Sequence, residues 1–439
     1  MSKKQQRDSF KSSIGFILAC IGSAVGMGNI WMFPYRVGQY GGAAFLIPYF
    51  IFVGIIGFSG VVGEMSFGRA MKTGPLGAFR KASERRGKKW GEAVGLIPVI
   101  GSLGIGIGYS VVVGWIIRFL VGSVSGSAMV NDTGEYFGTI AGNFGSVGWH
   151  MLGLAIVFLF MLFGIANGIE KVNKFMMPAF FCLFLILAIR VCLLSGAQEG
   201  FRYLFYPDWS LMAEPKTWVF ALGQAFFSLS LAGSGTIVYG SYLKDTEDII
   251  SCARNVAIFD TIASILAGFV IIPAVFAFGL DPAAGPPLMF ITMPKVFQMM
   301  PLGQLFAILF FIAVLFAAIT SLMNLFETPI EALQEKFGLS RKFSVCIIAL
   351  ISAVIGIMIE SGDSVGKWMD VVSIYIIPLG ALLAGVMFFW ICGDKFAREQ
   401  AQMGRQKTLG KWFLPMTKYL FVGLTFIVYI LGIFYGGIG

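Results

Sequence analysis

Charged residues are scarce in this chain. Asp, Glu, Lys and Arg together make up 13% of its 439 residues, whereas apolar residues make up 57%. Soluble domains carry about a quarter charged residues, so a water-soluble globular protein is excluded. Histidine occurs once, as His150 at the start of an apolar run, where we expect it to lie at a membrane interface.

Patterns typical of enzymes are also missing. The sequence contains no G-x-S-x-G motif, zinc-spaced cluster or Walker-type phosphate loop, the patterns that hold nucleophiles, metal ions and phosphates in common enzyme classes. We therefore predict that the protein is not an enzyme. The few cysteines have neither the spacing of a zinc site nor the density of a disulfide scaffold. We interpret all six as small buried hydrophobic residues: Cys20, Cys182, Cys192, Cys252, Cys346 and Cys392.

Long apolar runs dominate the chain instead. They are about twenty residues long, the length that crosses about 30 Å of hydrocarbon as a helix. Strands of a membrane β-barrel would be about ten residues long with alternating polarity, a pattern that these runs lack. The sequence therefore predicts an all-α polytopic membrane protein. Eleven transmembrane helices are expected near residues 12–37, 42–68, 95–122, 149–167, 174–195, 216–242, 254–280, 302–333, 341–360, 368–392 and 412–435.

The basic residues predict how the chain is oriented. Most of the 32 Lys and Arg residues fall in the N-terminus and in alternate loops on the same side. The positive-inside rule then places the N-terminus in the cytoplasm and, because the number of spans is odd, the C-terminus on the extracellular side. The membrane is predicted to be the inner (plasma) membrane of the cell. The net charge of +9 is thus a topology signal, and nucleic acid is not an expected partner.

Spans one and six differ from the others. Each has a cluster of glycine, alanine and hydroxyl residues at mid-membrane depth, at 22–28 and 228–235. Glycine weakens a helix by about 1 kcal/mol per residue, so we expect both helices to be broken there. The alternative is that the small residues only allow close helix packing.

The positions of the two breaks predict an inverted repeat. A five-helix unit has an odd number of spans, so a second copy is inverted, and helices 1–5 and 6–10 would form the pair. Breaks at matching places in two such halves indicate a midplane site where N–H groups face anions and carbonyls face cations. The predicted segments are 1–11 (cytoplasmic N-terminus), 12–195 (first repeat), 196–215 (extracellular loop), 216–392 (second, inverted repeat), 393–411 (cytoplasmic loop) and 412–439 (eleventh helix and extracellular C-terminus).

These motifs resemble those of the neurotransmitter:sodium symporter family. The resemblance runs from about residue 7 to residue 398 and rests on segments 22–34, 41–49, 224–230 and 316–321. Eleven helices, rather than the usual twelve, occur among bacterial members. The resemblance implies a sodium-coupled amino acid symporter that works by alternating access.

The resemblance also implies two sodium sites. The first would be built from the carbonyl of Ala24, the side chains of Asn29, Ser228 and Asp260, and the substrate carboxylate. The second would be built from the carbonyls of Gly22, Val25 and Ala317 and the hydroxyls of Thr320 and Ser321. Oxygen ligands suit a hard cation. The alternative for the two hydroxyls is a hydrogen bond to their own helix.

By the same resemblance the substrate is an amino acid. Its carboxylate would meet Tyr109 and the N–H groups at the first break, its ammonium group would meet carbonyls of both broken helices, and Phe227 would cover it. Gly233 replaces a usual Phe or Met, which favours bulky hydrophobic or aromatic substrates unless it only extends the helix break. The predicted substrate contacts are Ala24, Gly26, Met27, Gly28, Ile105, Tyr109, Phe227, Ser228, Ser230, Gly233, Ser321 and Leu325.

Asp260 stands where chloride-dependent members of the family have asparagine. A fixed carboxylate can replace the anion, so the resemblance implies that chloride is not required. An ionised carboxylate inside a bilayer is usually paired with a cation, here the first sodium ion, and the emptied site is expected to take up a proton and export it. The alternative is a protonated Asp260 within a helix hydrogen bond. Residues that match chloride-holding positions are Tyr49, Gln224, Ser228 and Ser264.

Gate residues are predicted on both sides of the site. Met32 replaces the family's usual outer arginine, and Arg36, one turn further along, would either pair with Asp370 or meet lipid headgroups. The predicted gate residues are Arg36 and Asp370 on the outer side and Arg7, Glu335 and Tyr242 on the inner side.

Two other functions stay open at this point. Polar broken helices also line ion channels, and a non-transporting membrane sensor could use the same fold. The expected partners are an amino acid, two sodium ions and the lipid bilayer. The oligomeric state is open.

Overall fold

The structure is a computed structural model that describes residues 9–231 and 234–438. Helices dominate this part of the chain, and no strand occurs in it. In chain order the helices are α1 Ser13–Ala24, α2 Gly28–Gln39, α3 Ala43–Met71, α4 Pro75–Glu84, α5 Gly91–Ser125, α6 Ser127–Val130, α7 Thr133–Ile140, α8 Val147–Leu162, α9 Ile165–Cys192, α10 Ala197–Phe205, α11 Trp209–Ala213, α12 Pro215–Ser228, α13 Gly235–Ser241, α14 Ile249–Ala277, α15 288–299, α16 Gly303–Phe337, α17 Arg341–Met358, α18 Gly362–Ile391, α19 Asp394–Gln402 and α20 Pro415–Tyr435.

The all-α membrane fold is confirmed. Among the described residues, eight helices are long and apolar enough to cross a membrane, namely α3, α5, α9, α14, α16, α17, α18 and α20, and the bent pair α1 and α2 makes a ninth span. Helix α8 is apolar but has only 16 residues, and α12 and α13 are separated by the break in span six. The total of eleven spans therefore stays a prediction.

The first span is broken where the sequence predicts. Helix α1 ends at Ala24, Val25 is extended with ψ at 107°, and α2 leaves the break at an angle of 50°. Helix α2 begins with a π-helical turn, Gly28–Met32, a geometry common at functional sites. The Asn29 side chain accepts a hydrogen bond from Gly26 N–H at 3.0 Å, so it caps a backbone group that the broken helix leaves free.

The sixth span is interrupted as well. Helix α12 ends at Ser228, and α13 begins at Gly235. Ser230 and Ser234 have positive φ angles of 55° and 51°, a conformation that leaves the helix. Residues 232 and 233 lie outside the described part of the chain, and with them the predicted pocket residue Gly233.

Long helices surround the two breaks. Helices α5 and α16 pack extensively against each other, and α1 packs against α9, α14 and α16. Helices α12 and α13 both contact α3. On α3, Glu64 accepts a hydrogen bond from the hydroxyl of Thr236, a residue that lies just after the break in span six. The breaks are thus enclosed by protein, as exposed backbone polar groups at this depth require.

Two expectations about buried residues are wrong. Cys182, Cys192 and Cys346 are exposed on the outer surface of the bundle, because a face in contact with lipid is as apolar as one in contact with protein. His150 does not lie at an interface: it is fully buried at the start of α8. Its ring is 2.8 Å from Ser110 Oγ and 3.0 Å from a carboxylate oxygen of Glu360.

Candidate substrate and sodium site

Asn29, just after the first break, lies against helix α14. Its amide nitrogen donates to Asp260 Oδ1 at 2.6 Å and to Ser264 Oγ at 2.9 Å. The Tyr49 hydroxyl, on α3, donates to Ser264 Oγ at 3.2 Å. All four side chains are buried. The predicted first sodium ligands Asn29 and Asp260 are therefore neighbours, together with two of the residues that match chloride-holding positions.

Two oxygens at this place have no hydrogen-bond partner. Ser228, at the end of α12, lies beside the Asp260 carboxylate. Within the described part of the chain, neither Ser228 Oγ nor Asp260 Oδ2 makes a well-aligned hydrogen bond, although both are buried. A buried oxygen without a partner costs about 1–3 kcal/mol, and a charged one costs more. A cation between the two oxygens would offset that cost.

The predicted second sodium ligands lie between α1 and α16. A β-carbon on Gly22 would come within 3.0 Å of Thr320 Cβ, and one on Gly26 within 2.9 Å of Ser321 Oγ, so this stretch of α1 and its break touches α16 directly. The Thr320 hydroxyl bonds back to the carbonyls of Phe316 and Ala317, at 3.0 Å each. The alternative raised from the sequence, a bond within the helix, is thus present, and the hydroxyl oxygen still has a lone pair for a cation.

The first break also contacts α5 through a backbone N–H group. Met27 N–H donates to the Tyr109 hydroxyl at 3.0 Å. Because that hydroxyl accepts this bond, its own proton can be donated to an anion next to Met27. Gln224, on α12, donates to the Gly28 carbonyl at 2.8 Å. Ser230 donates to the Ser23 carbonyl at 2.6 Å, which ties the two breaks together.

The predicted side-chain pocket lies among partly exposed residues. Ile105, Phe227 and Leu325 are each half-buried, although they lie in helices whose neighbouring residues are mostly buried. Ser102 donates to the Leu325 carbonyl at 2.8 Å and joins α5 to α16. The residues predicted to meet the substrate side chain therefore come from α5, α12 and α16, which converge on the breaks.

The predicted gates are only partly described. The Arg36 guanidinium lies 4.3 Å from the centre of the Phe220 ring, and its pairing with Asp370 stays a prediction. Arg7 lies outside the described residues. Glu335 forms an ion pair with Arg80 on α4, a partner that the sequence did not indicate.

A further ion pair on the predicted inner side was missed. Arg341, at the start of α17, binds both carboxylate oxygens of Glu327 at 2.8 Å, and the Tyr242 hydroxyl donates to the same carboxylate at 2.8 Å. The Glu327 carboxylate is fully buried. An acid deep in span eight, followed by a basic residue opening span nine, was the available signal.

The chain matches known transporters over nearly its whole length. A family profile described as "Sodium:neurotransmitter symporter family" matches residues 7–136 and 134–435. The "Uncharacterized sodium-dependent transporter YhdH" of Bacillus subtilis (strain 168) is 34% identical over 443 residues, covering 97% of this chain and 96% of the relative. The "Uncharacterized sodium-dependent transporter MJ1319" of Methanocaldococcus jannaschii is 33% identical over 440 residues, covering 94% of this chain and 87% of the relative.

A solved structure agrees with the sequence relatives. The crystal structure of MhsT in complex with L-phenylalanine superposes with a TM-score of 0.87 at 33% identity, covering 97% of this chain and 99% of MhsT. The family profile and both relatives are described as sodium-dependent transporters or symporters, a class that is not enzymatic. The chain belongs to the sodium:neurotransmitter symporter family.

Proposed function

We propose that this protein is a sodium-coupled amino acid symporter that works by alternating access. The observation that carries the proposal is the pair of buried, unpartnered oxygens, Ser228 Oγ and Asp260 Oδ2, at the point where both helix breaks meet. A carboxylate at this depth needs a cation, and Asn29 and the break carbonyls supply further oxygens. The substrate carboxylate would complete this first sodium site, which couples the two solutes.

The proposed substrate is an amino acid with a bulky hydrophobic or aromatic side chain. Its carboxylate would lie at the break of helix one, next to Met27, where the Tyr109 hydroxyl can donate its proton and the N-terminal end of α2 favours an anion. The L-phenylalanine in the crystal structure of MhsT supports an aromatic substrate. Gly233 in the predicted pocket lining supports a large side chain.

A second sodium ion is proposed between α1 and α16. The close approach of Gly22 to Thr320 supports the carbonyl and hydroxyl ligands inferred from the resemblance. Two sodium ions, a zwitterion and an ionised Asp260 leave the loaded site with one positive charge in excess, and the emptied site with one negative charge. We propose that a proton balances the empty site and that chloride is not required.

The proposed setting is the plasma (inner) membrane, with the N-terminus in the cytoplasm. The uneven distribution of Lys and Arg among the loops supports this orientation. The predicted cytoplasmic loops include Lys72, which pairs with Asp245 at 2.6 Å on the exposed surface.

Uptake into proteoliposomes tests the proposal. With an inward sodium gradient, we expect radiolabelled phenylalanine to accumulate, and we expect no accumulation when choline replaces sodium. Leucine, tyrosine and tryptophan should compete better than glycine and alanine. Ion current in the absence of any amino acid would instead favour a channel, sodium-dependent binding without uptake would favour a sensor, and preference for glycine or alanine would contradict the enlarged pocket.

A further inference from the structure

Asn173 lies on α9, a helix that supplies none of the ligands proposed above. The side chain is fully buried. Its amide nitrogen donates to the Ile169 carbonyl at 2.8 Å, one turn earlier in the same helix. Its amide oxygen, Oδ1, has no hydrogen-bond partner in the described part of the chain. A buried amide oxygen without a hydrogen-bond partner is unfavourable unless something else, such as a cation, takes that partner's place.

The unpaired oxygen lies against Gly22, on the side of α1 that faces Thr320. A β-carbon built on Gly22 would lie 1.9 Å from Asn173 Oδ1 and 3.0 Å from Thr320 Cβ. The amide oxygen, the backbone of Gly22 and the Thr320 side chain therefore meet at one place. Gly22 and Thr320 are the residues through which α1 and α16 would bind the second sodium ion.

We propose that Asn173 Oδ1 is an additional ligand of the second sodium ion, an assignment that rests on the proposed function. Hard cations prefer oxygen ligands, and amide carbonyls are among them. The bond from Asn173 nitrogen to Ile169 fixes the orientation of the amide, so that the oxygen and not the nitrogen faces Gly22. Helix α9 thereby joins α1 and α16 in holding the ion.

Sodium-dependent stabilisation of the purified protein tests the assignment. The readout is the sodium concentration that gives half of the maximal rise in Tm, measured without amino acid and with choline keeping the ionic strength constant. Asn173→Ala should raise this concentration about tenfold. Asn173→Asp keeps an oxygen and adds a negative charge, so its midpoint should equal or fall below that of the unmodified protein.

Asn324→Ala is the matched control. Asn324 is also buried against a glycine of a broken helix, since a β-carbon on Gly235 would lie 1.8 Å from its Oδ1, but it is not among the proposed ligands. We expect its sodium midpoint to stay within about twofold of that of the unmodified protein.

Each outcome separates the two proposals. If the unmodified protein gains no more stability from sodium than from choline, the proposed sodium coupling fails and this assignment fails with it. If the unmodified protein responds but Asn173→Ala responds equally, or Asn324→Ala shifts as much, only the assignment is overturned. Should Asn173→Ala not fold, Asn173→Asp and Asn173→Ser replace it in the test. A sodium midpoint that rises in Asn173→Asp and stays unchanged in Asn173→Ser would overturn the assignment of Asn173 as a ligand.

Discussion

Gly26 shows how single residues determine the space at the first break. A β-carbon there would lie 2.9 Å from Ser321 Oγ and 3.0 Å from the Tyr109 hydroxyl oxygen. Neither side chain can move away freely, because Tyr109 accepts a hydrogen bond from Met27 and Ser321 is held between α16 and the break. The absent side chain leaves N–H groups and hydroxyls close enough to share one ligand.

Gly26→Ala should therefore weaken substrate binding. We expect a loss of at least about tenfold in affinity, or about 1.4 kcal/mol, because the added methyl displaces Tyr109 or Ser321. The affinity is measured by equilibrium binding of labelled phenylalanine in saturating sodium. Gly54→Ala is the matched control, since a β-carbon there meets no atom within 4 Å. Unchanged affinity in Gly26→Ala would contradict the placement of the carboxylate.

In the proposed mechanism Asp260 supplies the negative charge of the site. Replacing it by asparagine keeps the shape but removes the negative charge that would neutralise the first sodium ion. Asp260→Asn should lower the apparent sodium affinity and make transport depend on chloride, which would then supply the missing charge.

Sodium titrations of phenylalanine uptake, with chloride or gluconate as the anion, test this role. Asp363→Asn, which alters an acid in the first turn of α18, serves as the control and should need no chloride. If Asp260→Asn keeps its sodium affinity in gluconate, the carboxylate is not a sodium ligand.

At the scale of helices, a buried chain of polar groups joins α5, α8 and the turn after α17. His150 bonds to Ser110 on one side and to Glu360 on the other, and Glu360 accepts from the Ser146 hydroxyl. Trp115 donates to Ser146 Oγ at 3.0 Å. Ser110 follows Tyr109 in α5, so this chain helps to hold the helix that carries a proposed substrate ligand.

His150→Ala should destabilise the protein by about 1–3 kcal/mol, the usual cost of leaving a buried polar group without its hydrogen-bond partner. The measurement is urea or thermal unfolding in detergent. Glu360→Gln alters the partner that His150→Ala leaves behind, so the double variant should lose less stability than the sum of the two single variants. Strictly additive losses would show that the pair does not interact.

At the scale of the whole molecule, aromatic rings and a buried ion pair pack together on the predicted cytoplasmic side. Phe10 packs edge-on against Phe16 and Tyr239, with ring centres 5.2 and 5.7 Å apart. Beside them, Arg341 and Tyr242 bind the Glu327 carboxylate. These contacts join α1, α13, α16 and α17, so alternating access requires that some of them break.

Arg341→Ala should shift the protein towards a state open on that side, because it leaves the Glu327 carboxylate buried without a cation. Cys20, buried in α1, reports the opening when the other five cysteines are replaced by serine. We expect maleimide labelling of Cys20 to become about tenfold faster, equivalent to about 1.4 kcal/mol. Lys72→Ala breaks an exposed pair of little energetic weight and should leave the labelling rate unchanged.

Sequence reasoning reached the features that depend on one segment alone. The apolar runs predict helices because lipid does not tolerate unpaired backbone polar groups, and a helix pairs them within a single segment. The span predicted near 302–333 is the helix Gly303–Phe337. Glycines and serines predict both breaks because they weaken a helix locally. The grouping of Asn29 with Asp260 was available only through the family resemblance, since these residues are far apart in the chain.

What the sequence by itself determined is the helical membrane fold, its two interruptions and the family. The tertiary structure decided which face of each helix is buried: it enclosed His150, exposed Cys182, paired Glu327 with Arg341 and directed the Asn173 oxygen at Gly22. The physical reason is that lipid and protein interior are both apolar, so hydropathy along a span does not distinguish them. Only the packing of distant helices creates the cavities and close contacts in which a polar atom finds, or lacks, a partner.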